Sequence, residues 1–187
     1  MTTPKSTAEC FWSFSLDVYG KHGVSAACLT LQDELGLDVN ILLFCCFAAT
    51  KGLPSLDRAT LSMADAAIAP WRAATVESLR AVRRAIKDEF FSIDRVRQEA
   101  ICNQVQAAEL ECERIVQSLL SVTVPILNRE ITGQGHLTAA AVSLDNYLSN
   151  AGAKPTEGYW YYLTILLIAA IPGADEGAVT AVLKDFI

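Results

Sequence analysis

The sequence lacks most of the residue patterns on which common catalytic and metal sites are built. It has no glycine-rich phosphate loop, no His-Glu-x-x-His pair and no Gly-x-Ser-x-Gly elbow. Its 187 residues include only two histidines, His22 and His136, each beside a glycine in a segment that we expect to be a loop. A metal site at either one would need ligands from distant parts of the chain. We therefore expect no catalytic residue, no metal and no cofactor, and the sequence favours a non-enzymatic role.

Charged residues are also scarce, at 19% of the chain against 52% hydrophobic residues, which excludes extensive disorder. The net charge is −6, whereas proteins that bind nucleic-acid phosphates are normally basic, so the composition argues against a nucleic-acid partner. The two densest apolar runs, 39–49 and 159–171, are shorter than the roughly 18–20 residues of a membrane span. We expect both runs to be helices inside a globular core, with no membrane span.

The cysteines form no Cys-x-x-Cys pair, although there are six of them. Each lies among apolar or helical neighbours, where a free cysteine behaves as a small buried hydrophobe. The first nine residues contain no apolar segment of the kind that a signal peptide requires. These features predict a reducing, cytoplasmic location and a short flexible N-terminus over 1–8.

Apolar residues recur at helical spacing along most of the chain, and no segment shows the alternation of a β-strand. Glycines and prolines divide the pattern into about eight helices. We predict one all-α, single-domain helical bundle over 1–187, with a loop over 123–136. The segment 39–50 is apolar nearly all round, which is typical of a central helix, and Asp38 precedes it as an expected N-cap.

Two segments in the middle of the chain predict a long antiparallel helical hairpin, although one unbroken rod from Pro70 stays possible. The first segment, 70–87, begins at Pro70, which suits the first turn of a helix because its missing N–H is not needed there. The second runs from about Ser92 to Ser121. Glu109 and Glu113 lie away from its apolar seam, so we expect them on a solvated face. The seam has the four-three spacing of closely paired helices and consists of Ile101, Val105, Ala108, Cys112, Ile115 and Leu119.

The first hairpin helix carries a basic stripe formed by Arg80, Arg83, Arg84 and Lys87. A row of cations over two turns could bind an acidic partner. The glutamates of the second hairpin helix could instead neutralise part of the stripe, and the sequence favours this solvated or internally paired alternative.

The densest polar cluster spans 31–40, where the second and third helices meet. Its side chains could line a pocket beside the aromatic first helix, and a carboxylate there, Asp33 or Asp38, could act as an acid or base. Helix capping is the structural alternative, because Gly36 suits the end of one helix and Asp38 the start of the next.

Several sequence runs in the first two thirds of the chain resemble one known family. They are Phe11-Trp12-x-Phe14-Ser15, Ala27-Cys28-Leu29-x-Leu31-Gln32, Asp38-Val39-Asn40, Trp71-Arg72 and Leu79-Arg80-x-x-Arg83-Arg84. The chain is similar over about 10–120 to small proteobacterial proteins that are grouped as a domain of unknown function. This resemblance implies a bacterial, cytoplasmic helical protein and names no activity. The residues that match the family pattern are Trp12, Gln32, Asp38, Asn40, Trp71 and Arg72.

The sequence supports three hypotheses for function. The leading one is a protein that acts through protein–protein interaction or oligomerisation, using the charged faces of the hairpin. The alternative is a small-molecule or lipid-binding domain with a pocket between the first three helices, near Phe11 and Phe44, and the third is an enzyme that uses Asp33 or Asp38. The candidate ligand or partner site comprises Trp12, Tyr19, Gln32, Asp33, Asp38, Asn40, Trp71 and Arg72, and the candidate acidic-partner face comprises Arg80, Arg83, Arg84 and Lys87.

Overall fold

The computed structural model describes residues 5–88, 93–124, 135–153 and 157–184. A π-helical segment, Arg72–Glu77, joins α4 to α5 without a break, so the described residues form eight helical rods and no strand. The prediction of an all-α bundle of about eight helices is confirmed. The helices are α1 (Thr7–Tyr19), α2 (Val24–Leu35), α3 (Val39–Thr50), α4 (Arg58–Trp71), α5 (Ser78–Ile86), α6 (Arg95–Thr123), α7 (His136–Asn150), α8 (Glu157–Ala170) and α9 (Glu176–Leu183).

Helix α3 lies at the centre of the bundle, as its uniform apolar sequence predicts. Residues 40–49 are all buried, and the helix contacts α1, α2, α4, α6, α7 and α8. Asp38 caps its first turn by accepting hydrogen bonds from the backbone N–H groups of Asn40 and Ile41. On the α1 side, the rings of Phe11 and Phe47 stack with centroids 5.0 Å apart. The polar residues at its N-terminal end are therefore held against a rigid core.

The predicted helix boundary at Pro70 is wrong, because Pro70 lies inside α4. Proline removes a helical hydrogen bond and crowds the carbonyl four residues earlier, which usually breaks a helix. Here the rod continues, and the backbone changes to the wider π-helical geometry over Arg72–Glu77. The result is one long rod that ends at Ile86 instead of two helices.

The antiparallel hairpin is confirmed, with α6 packed along α4, the π-helical segment and α5. Trp71 Nε1 donates to the Cys112 carbonyl about midway along the hairpin, and Gln98 Nε2 donates to the Ile86 carbonyl near the end where the two helices connect. Asp94 caps α6 by accepting from the N–H of Arg97 at 3.0 Å. The predicted start at Ser92 lies outside the described residues.

The buried face of α6 is not the predicted apolar seam. Ile101, Ala108 and Ile115 are exposed, and the other three seam residues are only half-buried. The expectation that Glu109 and Glu113 are solvated is also wrong, since Glu109 is 8% exposed and Glu113 is partly buried. Helix α6 packs its polar side against the rest of the bundle, because the ion-pair partners of Glu109 and Glu113 lie there. The residues that α6 buries are Glu109, Val116, Gln117, Leu120 and Ser121.

Two smaller expectations also need correction. His136 is the first residue of α7 and not a loop residue, and its Nδ1 lies 2.5 Å from the Ala49 carbonyl oxygen. Residues 7 and 8, expected to be flexible, begin α1, where Ser6 and Glu9 form a reciprocal capping box. Most of the predicted loop over 123–136 and the first four residues lie outside the described residues. No helix in the described ranges has both the length and the apolar character needed to cross a membrane.

We predict that Ser143→Ala lowers the free energy of unfolding by about 1–2 kcal/mol, because it leaves a buried N–H without its acceptor. The Ser143 hydroxyl accepts from the Leu56 N–H at 2.9 Å and donates to the Ala139 carbonyl at 2.7 Å. The exposed Ser149 on the same helix gives the control variant Ser149→Ala, which should change stability by less than about 0.5 kcal/mol. Urea unfolding followed by circular dichroism measures both, and equal effects would contradict this account of how α7 holds the α3–α4 connection.

Candidate functional site

The structure brings most of the predicted site residues together around two adjoining pockets. One, of about 340 Å³, lies at the junction of α2 and α3 and is called the junction pocket here. The other, of about 320 Å³, runs between α1, α2, α5 and α6 and is called the arginine groove. The two pockets share a wall formed by Gln32, Val39, Asn40, Arg80, Arg84 and Glu113.

The junction pocket is shaped by the tight connection between α2 and α3. Gly36 ends α2 with a φ of 68°, a left-handed conformation that glycine adopts at little cost. The next turn is anchored from the C-terminal part of the chain, because the Asp38 N–H donates to the Tyr147 hydroxyl at 2.9 Å. Burial raises the pKa of Tyr147, so this hydroxyl stays protonated and neutral.

The π-helical segment supplies the opposite wall of the junction pocket. Arg72 Nη1 lies 3.0 Å from Asp38 Oδ2 and 2.8 Å from Asp65 Oδ1. Its Nε lies 3.5 Å from Glu77, five residues later, which in an α-helix would point to nearly the opposite side. Burial alone would lower the pKa of Arg72, but the hydrogen bonds and charges of Asp65 and Asp38 outweigh burial and raise the pKa, so the charge of Arg72 is permanent. The wider helix therefore gathers Arg72 and Glu77 on the pocket side.

A buried chain of polar side chains runs beneath both pockets. Ser15 donates to Gln117 Oε1 at 3.2 Å, and Gln117 Nε2 donates to Asn40 Oδ1 at 3.0 Å. Asn40 Nδ2 in turn donates to Glu113 Oε2, whose other oxygen accepts from Arg80 Nη2 at 2.8 Å. No buried side-chain N or O in the described ranges lacks a hydrogen-bond partner, so these polar groups are fully satisfied.

Arg80 and Arg83 hold the α5 side of the groove through Glu109. Arg80 Nε lies 3.2 Å from Glu109 Oε1, and Arg83 Nε lies 2.6 Å from Glu109 Oε2. Arg80 also donates to Gln32 Oε1 of α2 at 2.9 Å. Burial would raise the pKa of Glu109, but the hydrogen bonds from Arg83 and Arg80 outweigh it and lower the pKa. Glu109 is therefore ionised at neutral pH.

Glu113 has the opposite shift, because burial raises its pKa more than the Asn40 hydrogen bond and the Arg80 charge lower it. Two neighbouring carboxylates on one helix thus differ in how readily they take up a proton. Perturbed groups of this kind, converging on a cleft, are typical of binding and catalytic sites.

The outer wall of the arginine groove is apolar and comes from α1, α2 and α6. Trp12, Leu16, Leu29 and Leu110 form its rim, and the guanidinium of Arg114 lies 5.7 Å from the Trp12 ring centroid. Leu16, Leu29 and Leu110 are all more than 40% exposed, which is unusual for three leucines around one cleft. The full lining is Trp12, Ser15, Leu16, Tyr19, Leu29, Gln32, Val39, Asn40, Leu43, Arg80, Arg83, Arg84, Gln106, Glu109, Leu110, Glu113 and Gln117.

The predicted residues divide clearly by position. Trp12 and Tyr19 line the groove, Asp33, Asp38 and Arg72 line the junction pocket, and Gln32 and Asn40 line both. Trp71 lines neither, because its ring packs in the hairpin. Lys87 lies beyond the groove at the hairpin end, and Phe11 and Phe44 are core residues.

The sequence favours a basic stripe that the glutamates of α6 partly neutralise, and Arg80 and Arg83 do pair with Glu109, as Arg80 does with Glu113. Sequence reasoning missed that this polar face of α6 is buried, although a signal was present. Glu109, Glu113 and Gln117 recur every four residues and so share one side of the helix. A row of polar residues on a helix that must pack against a basic stripe indicates a buried, charge-paired face. The apolar seam on the other side concealed it.

The model of a family described as a protein of unknown function, DUF2390, matches residues 10–120, more than half of the chain. The chain belongs to this family. No curated protein and no solved structure matches it. The matched range begins within α1 and ends within α6, and every residue that lines the two pockets lies within it.

We predict that Glu109→Gln lowers the free energy of unfolding at neutral pH by about 1–3 kcal/mol, because two arginines lose a buried carboxylate. Since the folded protein lowers the pKa of Glu109, this stabilisation is present above its ordinary value of 4.5 and is lost as the pH falls. The gap between wild type and variant should therefore shrink towards about pH 3.

Urea unfolding at the two pH values measures this gap. Glu99→Gln is the control, because Glu99 lies on the same helix and is exposed. A gap that stays constant with pH would show that the carboxylate charge is not what stabilises the hairpin.

Proposed function

We propose that this protein is a non-enzymatic binding domain whose arginine groove takes a small amphipathic ligand with one anionic group. The observation that carries the proposal is a cleft of about 320 Å³ with an apolar wall on one side and three arginines on the other. Ligand sites are commonly apolar clefts with a few convergent polar groups. Both halves of such a site are present here.

The anionic group follows from the charges that face the groove. Arg80, Arg83 and Arg84 line it with Glu109 and Glu113, which leaves a surplus of one positive charge. Arg83 uses Nε and Nη2 on Glu109, and in the described residues its Nη1 donates to no group. Arg84 has one ion pair, at 3.5 Å to the exposed Asp33. A carboxylate or phosphate at the groove mouth would be received by these free donors.

The volume sets the size of the ligand. With about 30 Å³ for a water-sized group, the groove holds about ten non-hydrogen atoms. A ligand of that size binds with a dissociation constant on the order of 0.1–1 mM unless its fit is exceptional. The adjoining junction pocket, of about 340 Å³, allows a longer ligand to extend past Gln32 and Asn40.

The other two hypotheses have less support. An acidic partner on the basic stripe would find Arg80 and Arg83 already paired with Glu109, so only Arg84 and Lys87 remain as exposed cations of the stripe. An acid or base role is not supported for Asp38, which caps α3 and pairs with Arg72, or for Asp33, whose side chain is 57% exposed. Binding in the groove therefore has the most support.

Octanoate, which has ten non-hydrogen atoms, is the matching probe, and isothermal titration calorimetry measures its binding. We predict saturable 1:1 binding that is at least about tenfold tighter than that of octan-1-ol or octylammonium, which differ from it in the head group alone. Equal binding of all three would still support a ligand in the groove but would contradict the proposal that this ligand carries an anionic group. If none of the three compounds binds, the proposed function is contradicted.

A matched pair of variants locates the site. Leu16 on the groove rim and Met63 on α4, away from it, are 53% and 52% exposed. Leu16→Asp should weaken octanoate binding at least about tenfold, because it places a like charge on the apolar wall. Met63→Asp should leave binding unchanged, and an equal loss in both variants would place the octanoate elsewhere.

A further inference from the structure

The outer side of α6 carries a line of exposed residues that the bundle leaves uncovered. Arg97, Ile101, Gln104, Ala108, Glu111 and Ile115 follow one another at alternating spacings of four and three. All six are exposed, with Ile101 at 51% and Ile115 at 43%. This spacing is the repeat that brings two helices together along a seam. The hairpin partner of α6 does not use it, since α4 and α5 pack on another side of the helix. The lining of the arginine groove includes none of these six residues.

The line is complementary to itself when one copy is turned end for end. Arg97 and Glu111 lie seven residues to either side of Gln104, which is two helical turns, or about 10.5 Å, in each direction. An antiparallel pair centred on Gln104 therefore sets Arg97 of each copy opposite Glu111 of the other.

The apolar positions match in the same register. Ile101 lies three residues before Gln104, so in this register it is level with Ala107 of the other copy and beside Ala108. A large side chain thus faces small ones at both symmetric places. Alanine lets helices approach closely, and interaxial distances of 8–10 Å are normal for such contacts. Complementary volumes and charges at one and the same register are what an isologous two-fold interface requires.

A parallel pair would be unfavourable. In register, it sets Arg97 against Arg97 and Glu111 against Glu111, and like charges at an interface are repulsive. In the described residues Arg97 makes no ion pair, and Glu111 lies 4.0 Å from Arg114 on the same helix, so both charges are available.

We propose that two copies of this chain associate through α6 in an antiparallel arrangement about Gln104. The occupant of the exposed line is thus a second copy. The contact of one helix pair, about 30 Å long, lies at the small end of the range for specific interfaces, so the dimer is weak and forms at protein concentrations on the order of 100 µM. This association is independent of the ligand proposed for the groove.

Charge reversal tests the register directly, with sedimentation equilibrium at low ionic strength as the measurement. Arg97→Glu and Glu111→Arg should each weaken dimerisation about tenfold, since each creates two repulsive pairs. The double variant restores both pairs with reversed sign and should return to within about threefold of wild type. All of these positions are exposed, so the fold of the monomer is preserved.

The proposal is overturned if the wild-type chain is monomeric throughout, if the single variants dimerise as well as wild type, or if the double variant is no tighter than the singles. A second arm uses oxidation. Gln104→Cys at the two-fold centre should form an intermolecular disulfide faster than Asn103→Cys, an exposed position one residue away and turned by about 100° around the helix. Equal rates for the two variants would also exclude this arrangement.

Discussion

Arg80 ties α5 to both α6 and α2. Its guanidinium contacts Glu109 and Glu113 of α6 and Gln32 of α2, and through Glu113 it reaches Asn40 at the start of α3. A buried carboxylate costs several kcal/mol unless it is paired and hydrogen-bonded. Once the chain places Glu109 and Glu113 on the body side of α6, the arginines of α5 must stay beside them. This constraint fixes how α6 is rotated and how close α5 can approach α2.

Two features follow from that rotation. Polar side chains fill the inner side of α6, so α1, α2 and α5 cannot close over it as they would over an apolar stripe, and a cleft remains above the polar floor. The exposed line of α6 is turned to the outside together with its apolar members Ile101, Ala108 and Ile115. The groove that we propose for a ligand and the line that we propose for a second copy thus have one physical origin. They lie on different sides of the helix and can be tested separately.

The sequence predicts those elements for which local periodicity and packing agree. Helix α3 is apolar all round and is central, and Asp38 caps it, because no competing interaction acts on these residues. The rotation of α6 could not be predicted from its apolar seam, since ion pairs with the arginines of α5 outweigh the burial of isoleucine. The start at Pro70 was predicted wrongly because α4 runs through the proline, and nothing in the local sequence indicates that. Site residues on the α2–α3 junction were found because polar residues cluster there, whereas Glu113 and Gln117 were hidden within a long helix.

The central claim is that the polar floor and apolar rim form one binding site. Chemical-shift mapping of the ¹⁵N-labelled protein with octanoate tests it most directly, because each of the three tryptophans supplies an indole N–H signal. Trp12 lies on the groove rim, Trp71 donates to the Cys112 carbonyl within the hairpin, and Trp160 is on α8. The account predicts saturable shifts of the Trp12 indole and of the Arg83 and Arg84 Nε–H signals, with Trp71 and Trp160 unmoved. Shifts centred on Trp71 or Trp160, with Trp12 unchanged, would contradict it.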